Sequence, residues 1–264
     1  DFQRTRGSLR PHMNLPRDLF PYLIEHFIIE GKSTVMSTQL NGKQSVEAES
    51  ELLNTIQSNL YTAVISDALD ELGIRNQAMR EYLRPLSPDA VYAGWARTIL
   101  CRDVYYPSGN PYELEIKAMD SILENEVVVV STSSSIRNAP WGELLSTAAR
   151  ARGARGAVVD GLVRDVKKIL ALGFPVHASG IKPGDSQGRG EVVEYNVPVE
   201  CGGVLVNPGD LIVADYDGVV VVPAAVVDQA IKLATDKVTR ENHSRADLKN
   251  GAYLRDVFDK YGVL

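Results

Sequence analysis

The chain has 264 residues, of which 44% are hydrophobic and 23% charged, so it can bury a sizeable core as one main domain, with two small domains as an alternative. Its net charge of −6 argues against a dedicated nucleic-acid-binding protein, because neutralising phosphates requires a basic surface. Its two cysteines, Cys101 and Cys201, lack the number and spacing of a disulfide-stapled secreted domain, and no apolar run approaches the roughly 20 residues that cross a bilayer, so we expect a cytoplasmic protein without a membrane partner.

The first 50 residues are predicted to be a polar or poorly assignable N-terminal extension. They combine an Arg-rich start, "RTRGSLRPH", with a short apolar stretch, and Met36 opens a plausible polar N-terminus. A transit peptide would also be rich in Arg, but Asp1, Glu25 and Glu30 count against one. We therefore expect the functional domain to occupy residues 51–264.

Hydrophobic periodicity after Glu51 predicts alternating helices and strands. Apolar residues at helical spacing over 51–72 predict one helix, or two broken near Asn59. Four strands are then predicted in "GWARTILCR", "EVVVVST", "GAVVD" and "FPVHA", with helices in "PYELEIKAMDSIL", "GELLSTAARAR" and "RDVKKILAL". Such alternation is typical of parallel strands joined by right-handed crossovers.

The pattern changes after residue 180. The segments "EVVEYNVPV" and "CGGVLVNPGDLIVADYDGVVVVP" predict strands joined by turns at Pro208-Gly209 and Asp217-Gly218. A long amphipathic helix from Ala224 and a short closing one complete the chain. The predicted fold class is therefore α/β, with a parallel crossover half, a β-rich half and a C-terminal helix.

Charged residues lie where the predicted strands end and the next helices begin. Gly142 opens a helix whose unpaired N–H groups and positive dipole end suit a carboxylate or phosphate, although Glu143 could merely complement that dipole. Asp160, Arg164 and Asp165 follow the next strand, at the edge where open α/β sheets bind ligands. Because Glu143 reaches the same edge from the preceding strand, we expect these side chains to converge.

This set of residues favours a particular metal and substrate. Carboxylates without a Cys or His pair suit Mg²⁺ or Mn²⁺ better than zinc. Arg164 offers a planar fork to a carboxylate or to a developing enolate. The combination predicts a site for a small 2-oxo acid, whereas the alternative is that Arg164 and Asp165 are a solvated ion pair at a helix start. A dinucleotide site is not indicated, because the glycines at 153, 156 and 161 do not follow its spacing.

The motifs of residues 60–260 resemble those of a known family. The run "WGELLSTAARARGARGAVVDGLVRD", together with "VISDALDELG", "GFPVHASG" and "VPVECGGVLVNPGDLIVADYDGVVVVP", is similar to the RraA-like family. That family contains divalent-metal 4-hydroxy-4-methyl-2-oxoglutarate/4-carboxy-4-hydroxy-2-oxoadipate aldolases, which also decarboxylate oxaloacetate, and regulators of ribonuclease E activity. The resemblance implies a three-layer β/β/α swivelling domain, assembled as a homotrimer or hexamer with sites between subunits.

The resemblance also implies roles for individual residues. Active aldolases of the family carry an acid, twenty intervening residues and then Arg-Asp, and Glu143 with Arg164-Asp165 matches that spacing. Asp165 would then be the metal ligand, Arg164 would bind the keto acid and steady its enolate, and Glu143 would orient water at the metal. The substrate carboxylate would bind at Gly142 and the backbone amides of Leu144 and Leu145.

The chain departs from the family pattern at several positions. The first acid is more usually Asp, so Glu143 is one methylene longer. His177 and Ser179 stand where an aromatic residue and an arginine are common, and a lone histidine after a strand is more often a packed residue than a catalyst. The acid that a neighbouring subunit supplies falls in the C-terminal helix, where Glu241 is the nearest candidate.

The expected activity is that of a lyase. A class II pyruvate aldolase using Mg²⁺ or Mn²⁺ would cleave 4-hydroxy-2-oxo acids and also decarboxylate oxaloacetate. One alternative is a Schiff-base aldolase, since Lys167, Lys168 and Lys182 lie nearby in the sequence. The other is a non-catalytic regulator of a ribonuclease that acts by protein–protein binding.

Overall fold

The computed structural model describes residues 42–106 and 108–263. Most of the predicted extension therefore lies outside the described residues. None of the helices in these two ranges combines the length and apolar character that a bilayer crossing requires. The helices are α1 (Gly42–Asn59), α2 (Thr62–Glu71), α3 (Glu113–Asp120), α4 (Glu143–Ala151), α5 (Val166–Leu172), α6 (Val227–Lys249) and α7 (Leu254–Tyr261).

The strands follow the predicted order along the chain. They are β1 (Arg84–Pro85), β2 (Tyr92–Asp103), β3 (Glu126–Ser131), β4 (Gly156–Val163), β5 (Val176–Ile181), β6 (Gly190–Tyr195), β7 (Val199–Cys201), β8 (Val204–Val206), β9 (Leu211–Ala214) and β10 (Val219–Val222). The glycines of the two predicted turns, Gly209 and Gly218, both have positive φ, at 88° and 153°. A side chain would strain the backbone there, which is why these turns carry glycine.

Helix α1 begins earlier than the apolar periodicity indicates. The predicted domain boundary at residues 50 and 51 falls inside this helix. Ser50 donates a hydrogen bond to the Asn125 side chain at 3.0 Å, and Arg155 donates to Asn54 at 2.6 Å. Both partners precede strands of the sheet, so α1 is tied to the body of the domain. Of the two alternatives that the sequence left open, the structure shows two helices broken near Asn59, because α1 ends at Asn59 and α2 starts at Thr62.

The main sheet has eight strands in the order β1-β5-β4-β3-β2-β9-β10, with β6 also paired to β2. Strands β2, β3, β4 and β5 are parallel neighbours, which confirms the predicted crossovers. Strands β9 and β6 pair with β2 in the antiparallel direction. Parallel strands end at one edge of a sheet, so the segments after β3, β4 and β5 lie together there.

Three layers form the domain. On one face of the sheet, apolar residues of β3 and β4 pack with residues of α3, α4 and α5, including Met119, Ala149 and Ile169. On the other face, Val129 and Val158 pack with Cys201 and Val204 of the two-stranded sheet β7-β8. This arrangement confirms the predicted α/β class with β/β/α layering. Cys101 and Cys201 are both buried free thiols.

Candidate active site

The N-terminus of α4 is fixed beside the end of β4. Trp141 pairs with Val163 in a parallel bridge, and the N–H of Arg164 donates to the Trp141 carbonyl at 2.9 Å. The Trp141 indole is buried and donates to the Ser146 hydroxyl at 2.9 Å, which in turn donates to the Gly142 carbonyl at 2.9 Å. The start of the helix and the end of the strand are therefore held as one unit.

Gly142 touches both charged residues that follow β4. A Cβ built on Gly142 would lie 3.1 Å from Asp165 Oδ2 and 3.2 Å from Arg164 Cγ. The backbone of Gly142 is extended, with φ −156°, so any residue could adopt it. Glycine is needed here for space. The structure thus brings three of the predicted residues, Gly142, Arg164 and Asp165, to one point.

Asp165 presents a carboxylate that its own helix does not use. The residue precedes α5 in the left-handed conformation, with φ 60° and ψ 28°, and its side chain makes no capping hydrogen bond. An Asp at this position usually accepts a bond from the first turn of the helix. Its side chain is 43% exposed, and the Arg164 Nε atom lies 3.9 Å from Oδ2, which is beyond hydrogen-bonding distance. The Asp165 oxygens are therefore available to a ligand.

Glu143 and the amides beside it occupy the first turn of α4. The Glu143 carboxylate is half-buried and accepts a hydrogen bond from Thr147 at 2.9 Å, one turn further along. Gly142 provides no side-chain cap, and first-turn N–H groups such as those of Leu144 and Leu145 have no carbonyl partner within a helix. The Leu144 side chain is 76% exposed. These N–H groups and Glu143 thus border the point where Gly142 meets Arg164.

Arg164 has a second carboxylate partner that the sequence analysis missed. Its Nη2 atom forms an ion pair with Asp185 Oδ1 at 3.3 Å. The Tyr112 hydroxyl donates to Asp185 Oδ2 at 2.7 Å. Asp185 belongs to the segment "KPGDSQGR", which joins β5 to β6. The edge rule that indicated Arg164 and Asp165 after β4 applies equally after β5, so this signal was present in the sequence.

The charge states of this cluster have identifiable causes. Partial burial raises the pKa of Asp185, but the hydrogen bond from Tyr112, backbone N–H groups and the Arg164 charge outweigh it, so the pKa lies below its usual value. Burial and the bond to Asp185 raise the pKa of Tyr112 to about 12, which keeps its hydroxyl a donor. Glu115 of α3 has a pKa raised to about 7, chiefly by burial and then by the Asp185 charge, against the opposing effect of Arg164.

Asp160 does not join this cluster, contrary to the prediction. Strand β4 continues to Val163, so Asp160 lies within it. Its carboxylate accepts hydrogen bonds from the Tyr82 hydroxyl at 2.9 Å and the Gly202 N–H at 3.1 Å. Gly202 joins β7 to β8, so Asp160 faces the small sheet. There it links the two sheets, while Arg164 lies past the end of the strand.

His177 is a core residue. It is fully buried, with the Tyr92 hydroxyl 2.8 Å from its Nδ1 and the Asp215 carbonyl oxygen 2.8 Å from its Nε2. Burial lowers its pKa, so the ring is neutral at pH 7. A carbonyl can only accept, so Nε2 carries the hydrogen, and the single hydroxyl hydrogen of Tyr92 is shared between His177 Nδ1 and the Ala157 carbonyl, which lies 2.9 Å away. This matches the packed interpretation of the residue.

Glu241 and the lysines lie apart from these contacts. The carboxylate of Glu241 on α6 accepts a hydrogen bond from Tyr61 and lies 3.9 Å from Arg245. Lys182 donates to the Ile136 carbonyl at 2.8 Å, and the side chains of Lys167 and Lys168 are exposed at the start of α5. None of these lysines is enclosed in an apolar pocket of the kind that activates a Schiff-base lysine.

Asp165 is the residue best placed to hold a metal ion. Among the residues that the structure describes, no three His, Cys, Asp or Glu side chains form a metal-binding group. An ion of the Mg²⁺ or Mn²⁺ type needs only one or two carboxylates, with waters and substrate oxygens as its other ligands.

The chain matches a family model and is similar to proteins that share one provisional name. A family model described as Aldolase/RraA matches residues 62–221. A protein of Halalkalibacterium halodurans, provisionally named a 4-hydroxy-4-methyl-2-oxoglutarate aldolase, is 33% identical over 215 residues, covering 81% of this chain and 97% of the relative. A protein of Ectopseudomonas mendocina with the same provisional name is 38% identical over 103 residues, covering 39% of this chain and 63% of the relative.

A solved structure shares the fold. The Streptomyces coelicolor protein RraAS2, described as an unusual member of the RNase ES inhibitor RraA protein family, aligns with a TM-score of 0.67 and 32% identity. The alignment covers 75% of this chain and 98% of RraAS2. The relatives thus include proteins named for an enzymatic activity and proteins named for inhibition of a ribonuclease.

Proposed function

Because the chain belongs to the Aldolase/RraA family, we propose that it is a lyase that cleaves 4-hydroxy-2-oxo acids, of the 4-hydroxy-4-methyl-2-oxoglutarate type, into pyruvate and a second oxo acid. The observation that carries this proposal is the contact of Gly142 with both Arg164 and Asp165, which joins a guanidinium, a carboxylate and free helix amides. The provisional aldolase names of relatives support it. Oxaloacetate is a second substrate, since loss of its distal carboxylate as CO₂ leaves the same pyruvate enolate.

The residues at the site fit a divalent metal ion of the Mg²⁺ or Mn²⁺ type. The Asp165 carboxylate is a hard oxygen donor with no capping bond. Carboxylates outnumber the single guanidinium, because Asp165 and Asp185 both lie beside Arg164. When bound, the ion supplies a Lewis acid that withdraws electrons from the 2-oxo group.

Arg164 and the first turn of α4 bind and orient the substrate. The N–H groups of Leu144 and Leu145 receive the 1-carboxylate at the positive end of the helix dipole. Gly142 lets that carboxylate approach the backbone closely. The Arg164 guanidinium lies beside the 2-oxo oxygen, where negative charge develops as the C3–C4 bond breaks, and it stabilises that charge without reorganising.

Glu143 is the base that moves the proton. Cleavage of the C3–C4 bond turns the 4-hydroxyl into a carbonyl, so the hydroxyl must lose its proton, and the electron pair of the broken bond passes to C3 as the enolate. Glu143 accepts the hydroxyl proton, directly or through a water, at the carboxylate oxygen that Thr147 does not bind. The same proton then returns to C3, which gives pyruvate.

A second copy of the chain completes the site in this proposal. Three apolar side chains near it are exposed in the single chain: Leu144 at 76%, Ile136 at 70% and Ile181 at 66%. Ile181 pairs with Val163, directly before Arg164, so this apolar surface adjoins the reacting groups. A homotrimer or hexamer would cover it and exclude water. Glu241 of a neighbouring subunit is the candidate for a further acid.

A pyruvate-release assay tests the proposal. The purified protein is incubated with oxaloacetate and a panel of 4-hydroxy-2-oxo acids, with Mg²⁺, with Mn²⁺ and with EDTA. We expect turnover that EDTA abolishes, that added metal restores, and that Asp165→Ala eliminates. Unchanged turnover in Asp165→Ala would refute the site. Inactivation by borohydride in the presence of pyruvate would instead show a Schiff-base mechanism.

The similarity to RraAS2 supports a second candidate function. In this alternative the chain binds a ribonuclease through its surface and has no activity of its own. The same assay separates the two functions, because a binder shows no turnover in either the wild type or the Asp165→Ala variant. The intact Glu143, Arg164 and Asp165 set favours catalysis.

A further inference from the structure

Arg164 stands between two carboxylates at unequal distances. Asp185 Oδ1 lies 3.3 Å from Nη2, whereas Asp165 Oδ2 lies 3.9 Å from Nε. The Arg164 stem passes over Gly142, since a Cβ there would be 3.2 Å from Cγ and 3.5 Å from Nε. The guanidinium is therefore directed towards Asp185 although Asp165 is its neighbour in the chain.

Asp185 is a rigid anchor rather than a mobile surface acid. The Tyr112 hydroxyl donates to its Oδ2 at 2.7 Å, and Tyr112 immediately precedes α3. On either side of Asp185, the backbone is tied down: the Gly184 carbonyl accepts from the Ala139 N–H at 2.8 Å, and the Gly190 N–H donates to the Ser186 carbonyl at 2.8 Å. An ordinary exposed ion pair, which contributes little, lacks such support.

Without this anchor, Arg164 has a competing partner within reach. Arginine and carboxylate form strong, often bidentate pairs, and Asp165 Oδ2 is already within 3.9 Å of Nε. A guanidinium released from Asp185 would close that gap and occupy the Asp165 oxygens. Those oxygens would then be unavailable to a cation, and the Arg164 fork would no longer face the substrate.

We infer that Asp185 is a positioning residue, which holds the Arg164 guanidinium away from Asp165 and so keeps the Asp165 carboxylate free for a divalent cation. This inference rests on the proposed function for the identity of the cation site. It extends that function by assigning the segment after β5 a part in metal binding, although Asp185 itself does not touch the metal or the substrate. Tyr112 supports the same arrangement from the start of α3.

The test is a double-mutant cycle read out as Mn²⁺ affinity, with free Mn²⁺ followed by electron paramagnetic resonance. We expect Asp185→Asn to weaken Mn²⁺ binding by roughly tenfold or more, in the range found for groups that orient metal ligands. In an Arg164→Met background, the same Asp185→Asn change should alter the affinity less than about twofold, because the competing guanidinium is gone. Asp120→Asn, which breaks the exposed ion pair with Arg152, is the matched control and should bind like wild type.

The outcomes separate the inference from simpler explanations. Equal weakening in both backgrounds would mean that Asp185 acts only through its charge, and an unchanged affinity in Asp185→Asn would mean that it has no such role; either result overturns the inference. So does a wild type that binds no Mn²⁺. Tyr112→Phe removes one supporting bond without altering charge, and a smaller loss of affinity is expected from it, which keeps the test available if Asp185→Asn folds poorly.

Pyruvate release tests the proposed function separately from the Mn²⁺ affinities. If the cycle gives the expected pattern but no substrate releases pyruvate, the positioning role stands and the aldolase activity fails. If the wild type turns over substrate but Asp185→Asn leaves the Mn²⁺ affinity unchanged in both backgrounds, only the inferred role of Asp185 is wrong. Among active variants, loss of the anchor should lower kcat and raise the Mn²⁺ concentration needed for half-maximal rate.

Discussion

The backbone N–H of Arg164 donates a 2.9 Å hydrogen bond to the carbonyl oxygen of Trp141. This bond and the bridge between Trp141 and Val163 fix the end of β4 against the residues that precede α4. These contacts therefore keep the side chains of residues 164 and 165 in a fixed position relative to the amides after Gly142. Substitutions at these positions should accordingly change the proposed activity, the free energy of unfolding, or both.

Gly142→Ala should reduce the proposed pyruvate-releasing activity with little loss of stability. The added Cβ would lie 3.1 Å from Asp165 Oδ2 and 3.2 Å from Arg164 Cγ, so these flexible side chains must shift while the extended backbone stays unstrained. We expect kcat/KM to fall by roughly tenfold to a hundredfold, because small displacements of positioned groups cost that much. Steady-state kinetics and urea unfolding measure the two effects. Gly109→Ala, which has no neighbour within 4 Å, is the control.

Ser146→Ala should destabilise the domain. The buried Ser146 hydroxyl accepts from the Trp141 indole and donates to the Gly142 carbonyl, so its removal leaves a buried N–H without an acceptor. The expected loss in free energy of unfolding is about 1–3 kcal/mol. Thr147→Ala, at the exposed next position, should change stability by less than about 0.5 kcal/mol. Equal stabilities of the two variants would contradict this account of the helix start.

Glu115→Gln should remove a pH dependence of stability between pH 4.5 and 7. The folded pKa of Glu115 is raised from 4.5 to about 7, so its contribution is fully present below pH 4.5 and is lost as the pH rises through about 7. At pH 8 the variant should be more stable than wild type by about 2 kcal/mol, after allowance for solvent screening at a partly exposed side chain. Urea unfolding at pH 5 and 8 measures this. Glu113→Gln, on the exposed face of the same helix, should leave the wild-type profile intact.

His177→Leu should affect stability and not substrate binding. The variant loses the donor to the Asp215 carbonyl and the contact with Tyr92, which we expect to cost about 1–3 kcal/mol at pH 7.5. Because the folded pKa of His177 is lowered, the wild type also loses stability as the pH falls through 6.5, and the variant should lack that component. A changed KM with unchanged stability would reassign His177 to the site.

Local sequence patterns predicted the crossover half of the fold because each of its signals is local. Alternating apolar strands and amphipathic helices indicated the β3-α4-β4-α5-β5 order, and the edge rule then placed Arg164 and Asp165 near Gly142. The antiparallel pairing of β9 and β6 with β2 joins segments distant in sequence, so no local pattern specified it. Apolar periodicity could not predict the start of helix α1 at Gly42, because the first turns of this helix are mostly polar and its apolar stripe starts at Leu52.

The errors in the site have similar causes. The sequence predicts that Asp160 follows its strand because a charged residue and a glycine after Val159 resemble a strand end, but β4 continues to Val163 across an irregular register. Tyr112, Arg164 and Asp185 come together from three separate segments, so no local pattern indicates that their side chains meet. Glu115 looks like a first-turn acid of α3, and only the packing that buries it distinguishes it from Glu113.

The left-handed backbone at Asp165 limits which residues that position accepts. Asn adopts such a conformation at least as readily as Asp, whereas β-branched side chains are strained in it. A single Asp165→Asn change would therefore preserve the turn while removing the carboxylate that we propose as the metal ligand. Under the proposed function, this one substitution would remove catalysis and leave the fold intact, which is a physical route from an enzyme to a protein that only binds.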